Sequence, residues 1–149
     1  MNIAVHELGG WPLLVYGGVT ADISPEHFEK LFTRNRWPAA WRNGVFPFHH
    51  YHPNSHEVLG VYEGEVTVLF GGDGGVTVTA KPGDVIVLPA GTAHKKLSAR
   101  GSLGIVGAYP QGSNPDTARG LPKGKCEAAL PACDPVHGPG GPLFTYWRA

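Results

Sequence analysis

Cysteine is scarce in this 149-residue chain: only Cys126 and Cys133 occur, in a segment rich in proline and glycine. Their spacing is not the C-x-x-C of a zinc ribbon or a thioredoxin-like motif. Two reduced thiols are expected. Net charge is missing too. Twelve basic residues balance twelve acidic ones, with no run of Lys or Arg. Nucleic-acid recognition leaves a basic footprint, so no nucleic-acid partner is expected. No apolar stretch reaches the roughly 18 residues a membrane helix needs, so no membrane partner is expected either. The opening MNIAVHELGGW lacks the basic stretch and apolar core of a secretory signal, which points to the cytoplasm. Strands and helices do not alternate, which excludes a doubly wound fold.

Turn-forming residues are abundant, with 22 glycines and 14 prolines. The apolar fraction, 42%, is that of a globular protein. One domain over 1–149 is expected, large enough to bury roughly two-thirds of its unfolded surface. PLLVYGGV (12–19) reads as a strand closed by Gly17 and Gly18. In the following segment Ser24 suits a helix N-cap and Pro25 its first turn. Phe28, Leu31 and Phe32 share one face, and Pro38 stops the helix. It is the one helix the pattern predicts. From Gly44 onward, VFPFHHYH, EVLGVYEG, EVTVLF, VTVTA, DVIVLP, AHKKLS and LGIVGAY are short β-rich runs divided by GGDGG, KPGD and PAGT. Short strands with Gly/Pro turns predict an antiparallel barrel or sandwich with its core at about 44–109. An N-terminal strand and helix (1–43) precede it. GGDGG lacks the lysine and the helix of a phosphate loop and predicts a tight hairpin. Residues 110–149 carry seven prolines and little periodicity. They predict an extended arm laid on the barrel and pinned by Leu143, Phe144, Tyr146 and Trp147.

Four of the eight histidines fall in FHHYHPNSHE, at 49, 50, 52 and 56. Strand parity puts His50 and His52 on one face and His49 and Tyr51 on the other. Glu57 opens the next strand, expected as the antiparallel neighbour of the first, and His94 stands where a later strand begins. Three imidazoles and a carboxylate form a donor set suited to later divalent metals. His49 and His56 are expected to point outward or to support the ligands, and His6, His27 and His137 to be ordinary surface or loop residues.

These residues resemble the two motifs of the cupin superfamily. Gly44, His50, His52, Glu57 and Gly64 match G-x5-H-x-H-x(3,4)-E-x6-G at every spacing. Gly83, Pro89, Gly91 and His94 match G-x5-P-x-G-x2-H-x3-N, with Ser98 in place of the asparagine. WRNG, HHYH, SHEVLGVY, GAYP and DPVHGPGGPL further resemble the small bacterial single-domain cupins called YjlB-like. The resemblance implies an all-β fold: a double-stranded β-helix, or conical jelly-roll barrel, with the N-terminal helix and C-terminal arm outside it. It also implies a metal bound by His50, His52, Glu57 and His94. The ion would be a single divalent transition metal (Fe, Mn, Ni or Zn). Arg42, Tyr51, Tyr62, Lys96 and Tyr109 are the candidates for contacting a small-molecule ligand. Leu59, Val61 and Val87 are expected to face inward. The expected function is a metal-dependent enzyme of oxygenase, isomerase or decarboxylase type, and the alternative is a non-catalytic metal- or ligand-binding module. Exposed sheet edges suggest a homodimer.

Overall fold

The computed structural model describes residues 2–148. Its order is β1 (Asn2–His6), β2 (Leu13–Gly17), α1 (Pro25–Arg34), β3 (Ala39–Asn43), β4 (His50–Tyr51), β5 (Glu57–Phe70), β6 (Val76–Ala80), β7 (Val85–Leu88), β8 (His94–Ala108), β9 (Ala118–Arg119) and α2 (Leu143–Tyr146). All strand pairings are antiparallel. The two long strands, β5 and β8, each run through both layers of the fold. Residues 57–61 of β5 lie between β7 and the end of β8, while 65–70 lie between β6 and the start of β8. One sheet is therefore β1-β2-β7-β5-β8-β3, and the other is β6-β5-β8-β4-β9. The strands change sheet where the β5–β8 register shifts, around Val61 to Glu65. Gly64 has φ +74 there, and a Cβ on it would lie 2.3 Å from the Ser102 carbonyl oxygen. Only glycine fits such a bulge.

Leu59, Val61, Ile86, Leu88 and Ile105 from the first sheet meet Val66, Val68, Phe70 and Val78 from the second in one buried cluster. Side chains of alternate parity in the first sheet, including Leu14, Tyr16, Val58, Val85, Val87 and Val106, form a second cluster with Phe28, Leu31, Phe32, Trp37, Leu143 and Trp147. The first sheet is thus covered on both faces, which is why β7 reads as the unbroken run VIVL. Val87 consequently packs toward α1 and the arm, not inward as expected; Ile86 and Leu88 take the inward positions. The result is a jelly-roll with a helix against its outer face.

Helix α1 follows its sequence signals. Ser24 Oγ accepts from the His27 amide at 3.2 Å, and Phe28, Leu31 and Phe32 are buried. The helix ends at Arg34, before Arg36 at φ +64 and ahead of Pro38. GGDGG does form the β5–β6 hairpin connection. The arm is more structured than its proline content suggests. It holds β9 and a second short helix, α2, neither of which the pattern predicted. Leu143 and Trp147 pin it, Phe144 packs partly, and Tyr146 is exposed. Trp147 stacks on Trp11 and donates to the Pro12 carbonyl. Cys126 and Cys133 are both free thiols.

Candidate metal centre

His50 in β4 and His94 at the start of β8 are register partners, and His94 is in turn opposite Phe70 of β5. Cross-strand partners share a face. Phe70 belongs to the cluster between the sheets, so both histidines point there. His52 follows one residue beyond β4 and keeps the parity of His50. Glu57 shares the parity of the inward residues Leu59 and Val61. Contrary to the expectation that its strand is the antiparallel neighbour of β4, β4 pairs only with β8 and β9 among the described strands. The β8 strand intervenes, and Glu57 approaches the histidines from the facing sheet.

All four side chains are buried, none more than 7% exposed. Ring centroids are 3.9 Å apart for His50 and His94, 5.9 Å for His52 and His94, and 6.1 Å for His50 and His52. Each ring is held by a backbone carbonyl at Nδ1: His50 by Phe48 at 3.3 Å, His52 by Asp116 at 2.9 Å, and His94 by Thr92 at 2.9 Å. A carbonyl only accepts, so Nδ1 carries the hydrogen in each case and the neutral ring keeps its Nε2 lone pair. One ligating atom from each of the three rings falls within 4.8 Å of the others. Glu57 lies among them, Oε2 at 3.4 Å from His52 Nε2 and Oε1 at 3.3 Å from His94 Nε2. Oε1 is buried and makes no hydrogen bond.

Electrostatics follow from this crowding. Burial, aided by the neighbouring His94, lowers His50 to about 4. Burial also acts to lower His52, but Glu57 outweighs it and the pKa rises. Burial acts to raise Glu57, yet the two imidazoles hold its carboxyl well below the usual range. Burial and the Glu57 charge push the Tyr109 hydroxyl up. Buried acceptors converging without hydrogens are costly unless a cation lies among them. The donor set therefore fits a metal on both chemistry and geometry.

A cavity of about 340 Å³ opens from the quartet. Lys96 and Tyr109, both candidates from the sequence, line it; Arg42, Tyr51 and Tyr62 do not. Arg42 is on the outer surface in a two-pronged pair with Glu29, both contacts at 2.7 Å. Tyr62 packs partly against the α1-side cluster. Trp41, Phe46 and Thr117 line the cavity without having been singled out. Trp41 lies three positions ahead of Gly44, where the first motif begins, a weak signal, and nothing local marks Thr117. Its segment reaches the site because β9 pairs with β4, while Asn54 exchanges hydrogen bonds with Asn114 and Asp116. His49 contacts Asp73 instead. His56 accepts from the Ala90 amide and donates to the Ala129 carbonyl. It also lines a larger hollow of about 600 Å³, but with both ring nitrogens occupied it offers that hollow no ligand atom.

Two facing sheets sharing long strands, with histidines from separate segments meeting between them, define a cupin-type barrel. A family model described as the cupin domain matches residues 42–101. The uncharacterized protein YjlB of Bacillus subtilis (strain 168) is 41% identical over 144 residues, 92% of this chain and 86% of its own. The chain belongs to the cupin family, within the YjlB-like group. A crystal structure of a DUF861 family protein from Thermotoga maritima matches 71% of this chain and 97% of its own, at 20% identity and a TM-score of 0.38. Among the described residues, no helix is long and apolar enough to cross a membrane.

Proposed function

We propose that His50, His52, Glu57 and His94 hold one divalent transition metal and that the chain is a metal-dependent enzyme acting on a small organic molecule. The supporting observation is the set of three carbonyl-fixed imidazoles whose ligating nitrogens crowd a buried carboxylate. Imidazole with carboxylate suits Fe, Mn, Ni or Zn. When bound, such an ion supplies Lewis acidity or an acidified water. The protein's own groups do the rest. Leu59 and Val45 keep one wall of the cavity apolar. The Tyr109 oxygen accepts from Trp41 Nε1 at 3.1 Å, which leaves the phenolic hydrogen to point at Glu57 or at a ligand. Polar groups beyond the quartet favour catalysis of oxygenase, isomerase or decarboxylase type over simple storage. A non-catalytic ligand- or metal-binding module is the second reading. A cytoplasmic homodimer joined by sheet edges completes the proposal, and size-exclusion chromatography with light scattering checks the dimer.

The functional test is reconstitution. Metal-free protein is loaded separately with Fe(II), Mn(II), Ni(II) and Zn(II) and given a panel of small organic molecules, with oxygen uptake and product mass followed. Turnover with one metal, lost in His94→Ala, is the expected result. No turnover with any metal would favour the non-catalytic module.

A further inference from the structure

Among the described residues, the cavity beside the quartet is lined by one carboxylate, Glu57, and one side-chain ammonium, Lys96. Glu57 is buried among the histidines, whereas Lys96 is half-buried. Lys96 points inward because its cross-strand partner, Val68, belongs to the buried cluster between the sheets. It stands two residues from His94, roughly 7 Å along the strand. No carboxylate of the described residues forms an ion pair with it. A half-buried cation at a cavity wall with no carboxylate paired to it is free to pair with an anionic ligand. A divalent ion on the quartet would add positive charge that Glu57 cancels only in part, so the loaded cavity would be net positive.

The same cavity presents flat apolar surface. Trp41 is fixed by its hydrogen bond to Tyr109 and lies on Gly107, where a Cβ would come within 2.1 Å of the indole. Phe46 is 49% exposed, although it stacks on Phe48 at 4.9 Å. An exposed ring at a cavity wall gains from a ligand that covers it.

Resting on the metal site proposed above, we infer that the ligand of this cavity is a small organic acid, its carboxylate paired with Lys96 and its apolar body laid against Trp41 and Phe46. The volume is at the small end of the roughly 300–1,000 Å³ typical of ligand sites, which suits a compact acid.

The test is a ligand-observed NMR titration of purified protein whose metal content is measured first. The probes are benzoate and phenylacetate, each against its primary amide. Both carboxylates are expected to bind at least about tenfold more tightly than their amides, as a charge-assisted pair provides. Lys96→Gln removes that preference, Lys96→Arg keeps most of it, and neither changes the metal content. Equal binding of acid and amide, no binding of either, or an undiminished preference in Lys96→Gln would overturn the inference. The two readings fail separately. Protein that takes up no metal on reconstitution yet still prefers carboxylates through Lys96 would contradict the metal site and leave the anion site standing. Metal-loaded protein without that preference would do the reverse.

Discussion

At the scale of single residues, Glu57 and Asp134 are both buried carboxylates with opposite surroundings. Asp134 is fully supplied with donors: the Tyr16 hydroxyl at 2.6 Å and the amides of Val136, His137 and Leu143 at 2.8–3.0 Å. It ties the DPVHGPGGPL segment to β2 and to the start of α2, a structural role. Asp134→Ala should cost about 3 kcal/mol or more, since it orphans several buried donors; urea unfolding measures it. Glu57 meets only the Nε2 atoms of His52 and His94, rings whose Nδ1 hydrogens already go to backbone carbonyls. Glu57→Gln keeps the shape but removes the charge. It should weaken metal binding by more than the roughly 10–100-fold typical of groups that only orient ligands, as read by chelator competition. The quartet was legible in the sequence because motif spacing and strand parity together fix which imidazoles share a face. Arg42 shows the limit of such reading. Its neighbourhood suggested a ligand contact, but Glu29 on α1 captures it, and no local pattern announces a partner thirteen residues away.

At the scale of elements, α1 was readable from its cap, its proline and its apolar face. The long strands were not. Gly64 and the glycines at 101 and 104 look like breaks, so β5 and β8 read as four strands. In the fold, positive φ at Gly64 and Gly101 bends a continuous strand from one sheet into the other. The short or exposed strands β1, β3 and β9 carry no apolar alternation and depend on their partners for definition. The arm is the element whose importance the sequence understated. Its end buries Leu143 and Trp147 against β2 and α1, and its opening stretch, at Asp116, supplies the carbonyl that orients His52. Trp147→Ala should destabilise the fold by about 3–5 kcal/mol, the usual range for an aromatic lost from a core. Thermal unfolding with the metal content held constant checks this.

At the scale of the whole molecule, the barrel buries a proton-sensitive group in its interior. In the metal-free protein His50 has its pKa lowered from 6.5 to about 4. Between these values the unfolded chain binds the proton and the folded one does not. Stability therefore falls as pH drops through that window, by up to about 3 kcal/mol. His52, whose pKa is raised, contributes stability that is fully present below 6.5 and lost above it, so it does not offset this slope. Urea unfolding of metal-free protein from pH 6.5 down to 4 should show the loss, and His50→Asn should flatten it.

The proposed cation belongs where the two sheets bring these side chains together. The most direct test is elemental analysis of metal per chain, by plasma mass spectrometry, for wild type and for His50→Ala and His94→Ala after identical purification and reconstitution. About one tightly held divalent ion per wild-type chain, with little in either variant and native secondary structure in all three, is the predicted result. Wild type that retains no ion, or variants that retain it at the same stoichiometry, would contradict it.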